Sequence, residues 1–449
     1  MIREFIRRQP WRTIAAILAA WTVLAAFNIA LHRLGLNIDT PQSSFPISMF
    51  WGPTLHWNGL LFALPFIIVL LMATRLAAHL HVWHVWLIGL ALIVLGNLMQ
   101  GTLETAFLHP ILAGNNQYYH DAIKISSTEE FLQTFNATQS TLLTHSRTHP
   151  PFAVLIHYLF MGGSMHNPFL LALAFVLTSS LMIPCVWHLL RTIGASRESC
   201  TLHTLLLAVL PAFNIYAAVS LDALIAVCCT LALLGLIGSI LTRKPRYCLA
   251  FCLGGVAFNA LSFGGVFLLA VSGLLALRDI MRRQRYHFLA CTLVLAGLLV
   301  ILTLLAKTVW GYDHVVALLT ASQLENPHGF RAFAAPVEYL MTRIENVAEI
   351  CVFLSIGALA TVLADRLLRR SLVSWQDTLS AVTTAGLISL LAMFLAGAFR
   401  TGETARACLF IYPFLLLGFR DLDRKRLHDL VTWAGTQTVI MQLCGNYFW

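Results

Sequence analysis

The chain has 449 residues, 58% of them hydrophobic and only 11% charged, with a formal net charge of +9. Soluble domains carry roughly 25% charged residues, so this composition leaves too little polar surface to cover a water-soluble core. The basic excess does not point to nucleic acid, because Lys and Arg fall in short clusters between apolar runs, the pattern that sets orientation in a bilayer.

Apolar runs of roughly 20 residues match the hydrocarbon thickness at helical rise. They predict an all-α, polytopic transmembrane bundle of about thirteen spans. The first run (11–31) follows Arg3, Arg7 and Arg8 without a small-residue cleavage site, and reads as a signal anchor. A Pro- and Ser-rich outer loop follows, then spans at 59–72 and 83–99. Residues 101–167 form a long outer segment. Further spans are predicted at 168–190, 203–219, 221–241, 248–262, 264–276 and 288–309. After an outer stretch of about 35 residues come spans at 347–364, 379–398, 407–419 and 430–448. Threaded this way from a cytoplasmic N-terminus, 21 of the 29 Lys and Arg fall on the inner side, which supports the parity. The expected divisions are N-terminal spans (1–100), an outer loop with an interfacial helix (101–167) and a transmembrane core (168–449). The location is the inner or plasma membrane. The ten cysteines lie within or beside apolar runs and read as packing residues, with no disulfide framework.

Chemistry concentrates in the outer loop. It carries Tyr118-Tyr119-His120-Asp121-Ala122, then His145-Ser146-Arg147-Thr148-His149-Pro150-Pro151. The apolar stretch 152–161 that follows is too short to span, and begins at a Pro pair as an interfacial helix does. Asn136-Ala137-Thr138 matches a glycosylation sequon, a short pattern of low specificity.

These segments resemble the first outer loop of GT-C class glycosyltransferases that use a polyprenyl-phosphate sugar, among them protein mannosyltransferases and aminoarabinose transferases. Ser220-Leu221-Asp222-Ala223-Leu224 is similar to the family's Pro-Asp-Ala-Leu. Gly402-Glu403-Thr404-Ala405-Arg406 is similar to a Gly-Glu-x-x-Arg segment heading a late span, and Gln437 to Gln442 fits the same group. The likeness runs from about Tyr118 onward. It implies inverting transfer of a sugar from a polyprenyl-phosphate donor to a lipid, glycan or protein acceptor on the outer face, in cell-envelope synthesis, with membrane lipids as further partners.

Such transfer needs a base for the incoming hydroxyl and cations for the departing phosphate. On the resemblance, Asp121, His145 and His149 are the catalytic candidates, and Arg147, Asp222, Arg400, Glu403 and Arg406 the substrate-binding ones. The family's leading Asp-Glu is replaced here by Asn115-Asn116, so Asp39 and Glu104 stand beside Asp121 as alternative bases. Some members use a divalent metal, which leaves room for Mg or Mn; no residue is assigned to a metal. Two other classes compete. A transporter or flippase predicts charges buried within spans and broken helices; few such charges are evident in the sequence. An O-antigen polymerase or ligase predicts a larger late outer loop.

Overall fold

A computed structural model of the chain describes residues 9–114, 116–282, 286–399 and 402–447. The principal helices, in chain order, are α1 (Trp11–Arg33), α2 (Leu60–Arg75), α3 (Val82–Leu98), α4 (Tyr118–Ala122), α5 (Thr128–Thr138), α6 (Pro151–Phe160), α7 (Pro168–Ser180) and α8 (Met182–Thr192). They continue with α9 (Arg197–Val209), α10 (Pro211–Tyr216), α11 (Leu221–Thr242), α12 (Pro245–Leu261), α13 (Val266–Met281), α14 (His287–Trp310) and α15 (His314–Glu325). The last are α16 (Pro336–Phe353), α17 (Ile356–Ala364), α18 (Thr378–Leu395), α19 (Thr404–Ala407), α20 (Tyr412–Gly418) and α21 (Arg424–Cys444).

Among the described residues, seven helices are long and apolar enough to cross a membrane, or eight if the bent pair α16–α17 is one span. The chain is a multi-pass helical membrane protein, with fewer such helices than the thirteen expected. The shortfall has local causes. The expected span at 203–219 is two helices, because Pro211 cannot continue the hydrogen-bond ladder and Leu210 turns extended. The expected span at 347–364 bends by 98°, at a Ser355 whose φ is +86°. The expected span at 407–419 shortens to an apolar stretch over Leu409–Gly418. The segment α21 is long enough, but its polar side chains take it below the hydropathy of a span.

Those polar side chains explain how the breaks survive. Unpaired backbone groups in an apolar environment cost several kcal/mol each. Gln437 on α21 accepts from Ile356 N at 2.8 Å and donates to Val352 O at 2.7 Å, bridging the α16–α17 break from both sides. Thr438 donates to Val209 O, just before the α9–α10 break. Asn214 donates to Ala208 O and Leu92 O and accepts from Gln442, and Asn97 donates to Asn214 O at 2.7 Å.

The contacts divide the chain into two compact units. The first comprises Met1–Gly101, Gly194–Tyr216 and Phe330–Phe448; the second comprises Thr102–Ile193 and Ala217–Gly329. The first holds the polar ladder just described. The second is built on α11 and α12, which approach backbone to backbone. A Cβ on Gly235 would lie 2.2 Å from Phe251 N, and one on Gly254 would lie 2.5 Å from Cys228 O. Small residues let helices pack this closely in lipid. Ser220 caps α11 by accepting from Asp222 N.

Candidate functional site

In the second unit the loop over residues 101–167 folds around Tyr118. Its ring centroid is 5.7 Å from that of His145, 5.5 Å from His149 and 4.7 Å from His157. Asp121, one turn along α4, is 3% exposed. Its Oδ2 accepts from Leu143 N at 2.9 Å and its Oδ1 from Lys124 Nζ at 2.9 Å. This carboxylate therefore clamps α4 to the segment that carries His145, Arg147 and His149. Gln139, fully buried, donates to Arg147 O and Ala317 O, both at 2.9 Å, and fixes the same segment from behind.

The two imidazole types differ. His149 Nδ1 lies 3.0 Å from His145 O. A carbonyl only accepts, so Nδ1 carries the proton and Nε2 is the basic nitrogen of the neutral ring. His157 is buried, with Nδ1 at 2.7 Å from Ala153 O; burial pulls its pKa down to about 4, so it packs as a neutral aromatic partner of Tyr118. Arg147 is half-buried and makes no ion pair among the described residues, and its Nε is buried without a hydrogen-bond partner.

The loop is anchored at its far end. Asn136 donates to Asp313 O and accepts from Asp313 N, both at 2.8 Å. Both ends of that amide are committed, so the Asn136 sequon is structural. Asp313 also pairs with Lys307 at 2.7 Å, and this pairing holds its carboxyl below the usual range. Asp222 sits at the head of α11, within its Ser220 cap. Glu104 is exposed on the turn Glu104–Leu108.

The first unit contains a separate, charge-dense cluster. Glu349 on α16 is fully buried. Its Oε1 accepts from Ser48 N and Ser48 Oγ at 2.9 and 2.6 Å; its Oε2 accepts from Thr404 Oγ1 and Ala405 N at 3.0 and 3.1 Å. Ser48 Oγ in turn accepts from Glu403 N. This carboxylate ties residues 48 and 402–405 to one helix. Glu403, at a φ of +56°, pairs with Arg406. Arg343 donates to the carbonyls of Phe394, Ala398 and Phe399 and closes the C-terminal end of α18. Asp39 pairs with Arg331 at 3.3 Å, which also meets Glu338 at 3.1 Å. Arg400 lies outside the described residues.

Glu345, one turn before Glu349, is fully buried, and neither of its carboxylate oxygens has a hydrogen-bond partner among the described residues. Gly402 packs on it: a Cβ there would lie 2.9 Å from the Glu345 carboxyl carbon, and φ is +79°. Neither Glu345 nor Glu349 was among the expected site residues; the signal for them is their spacing of four, which puts both on one helical face.

Among the described residues, no three His, Cys, Asp or Glu side chains are grouped so as to hold a metal ion. All ten cysteines are free.

No family model and no curated protein matches the chain. Among solved structures, the chain is similar to ArnT from Cupriavidus metallidurans bound to undecaprenyl phosphate, at 14% identity and a TM-score of 0.40. The match covers 68% of this chain and spans 58% of the length of that protein. At that score the function is to be sought in the residues of this chain.

Proposed function

We propose that this membrane protein transfers a sugar from a polyprenyl-phosphate donor to an acceptor on the outer face of the membrane, with its N-terminus in the cytoplasm. The observation that carries the proposal is the packing of His145 and His149 on Tyr118, with Asp121 clamping the segment that carries them and Arg147, in one folded outer loop, residues 101–167. Tyr118 and Asp121 are more than twenty residues from His145, Arg147 and His149, and one clamp, the Asp121 bond to Leu143 N, holds the two stretches together.

The chemistry follows from their surroundings. The acceptor hydroxyl loses its proton to the basic Nε2 of His149 as its oxygen bonds to the anomeric carbon. The sugar–phosphate bond breaks at the same carbon, and the polyprenyl phosphate leaves with the negative charge. One inversion results. Asp121, buried and already held by two donors, positions the loop, and His145 orients His149 through its carbonyl. Arg147 supplies a guanidinium for the phosphate, which it suits as a planar fork. Asp222, Arg400, Glu403 and Arg406 are further residues proposed for substrate binding, Asp222 from the head of α11.

The test is a transfer assay: purified protein in nanodiscs, a polyprenyl-phosphate donor with a radiolabelled sugar, and a mixed acceptor pool. Label moving to an acceptor, with loss of at least tenfold in Arg147→Ala, supports the proposal. Donor that stays intact in the presence of folded protein and acceptor contradicts it.

A specific observation favours a second reading. The α16–α17 helix is broken by 98° and carries the buried Glu345 and Glu349, as a translocation path would. A flippase moves the labelled donor across a vesicle bilayer without cleaving it, so the same labelled donor separates the two readings.

A further inference from the structure

The first unit contains a groove that none of the proposed chemistry uses. It has a volume of about 530 Å³ and lies between α1 and the loop 43–50. Leu18, Trp21, Ala26 and Ile29 of α1 form one wall; Phe45 and Phe50 face them. Trp21 Nε1 donates to Phe45 O at 2.7 Å and pins the loop across the helix. The loop's inner end packs in a small apolar cluster of Leu31, Ile38, Phe45 and Met341.

We infer that this groove is a binding site for one acyl chain of a bilayer phospholipid. Two observations identify the occupant. Among the described residues no charged side chain lines the groove, and the polar side-chain groups there are Ser and Thr hydroxyls and the Trp21 indole N–H that is already bonded to the loop. The helix that forms its wall is a candidate span with only 17% of its apolar stretch buried in the protein, which suits it to face lipid hydrocarbon.

The site has a consequence for the charged cluster. The loop that covers the chain also carries Ser48, which binds Glu349 and accepts from Glu403 N. A chain seated in the groove props this loop, and through Ser48 the Gly402–Arg406 segment. The groove is made wholly from residues 18–50, ahead of the segments that carry the resemblance to the transferases, and its occupancy does not depend on the transfer reaction.

The experiment uses the full-length protein in nanodiscs of phosphatidylcholine doped with phosphatidylglycerol that carries a diazirine near the middle of one acyl chain. Irradiation is followed by peptide mapping. Label concentrated on peptides spanning 18–29 and 43–50 is expected. It should fall at least tenfold in Ala26→Trp, which fills the groove, and persist in Ala20→Trp, which adds the same bulk to α1 outside the groove. Leu18→Trp provides a second filled groove if Ala26→Trp does not fold. Excess unlabelled polyprenyl phosphate should leave the label in place. The inference is overturned by equal labelling of α1 in Ala26→Trp or Leu18→Trp, by label spread over the whole outward face of α1, or by displacement with polyprenyl phosphate.

Discussion

Each unit holds a loop in place with one buried carboxylate, but the two carboxylates are used to different depths. Asp121 is held by one backbone N–H and by Lys124, whose side chain is 66% exposed. Glu349 takes two backbone N–H groups and two hydroxyls, with no exposure to solvent. The segment that Asp121 clamps carries imidazoles packed on Tyr118; around Glu349 lie further carboxylates and guanidinium groups. A loop built on a saturated carboxylate is a rigid tie, and its energy depends on every donor being met.

The contrast can be broken, and the largest effect is expected at Glu349. Glu349→Ala orphans four donors, each worth about 1–3 kcal/mol when left unsatisfied, so a loss on the order of 4 kcal/mol or failure to fold is expected in thermal unfolding in detergent. A loss under about 1 kcal/mol would show that the tie is not in use.

The next effect is a pH dependence in the second unit. His157 is held near pKa 4 by burial, against 6.5 in the unfolded chain. The folded state keeps it neutral, so its contribution is fully present above pH 6.5 and is lost as pH falls from 6.5 to 4. The loss is roughly 3 kcal/mol. Denaturant titrations of wild type and His157→Gln at pH 7 and pH 4.5 should show the wild type losing more stability on acidification.

Asp121→Asn keeps a carbonyl oxygen for Leu143 N and loses the pair with an exposed lysine. A cost of about 1–2 kcal/mol is expected by the same unfolding measurement. A much larger cost would mean that the two clamps are alike after all. The smallest effect is expected for Lys307→Met, since the Lys307 side chain is 59% exposed where it meets Asp313. That change should cost under about 1 kcal/mol, and the difference from wild type should vanish in high salt.

The membrane class was legible because apolar runs and charge clusters report directly on the bilayer. The sequence also showed that Tyr118, Asp121, His145 and His149 lie in one polar loop with a proline stop, though not that the Tyr118 ring packs on both imidazoles. The helix breaks were not legible. Hydropathy weighs side chains and is blind to backbone groups, and the breaks at Leu210 and Ser355 persist only because Asn214, Thr438 and Gln437 satisfy what they expose. Read by composition alone, those polar residues lower the score of α21 and leave the segments they repair looking continuous. Glu345 and Glu349 escaped notice for a related reason. They sit where an outer loop was expected to pass into a span, and a charge at a span end reads as an anchor.

In the proposed transfer, His149 takes the proton from the acceptor. The direct measurement is the single-turnover rate of sugar transfer by wild type and His149→Ala, each checked for an unchanged unfolding temperature. Loss of general-base catalysis should lower the rate by about 100-fold or more. A His149→Ala protein that transfers sugar at the wild-type rate would contradict the account.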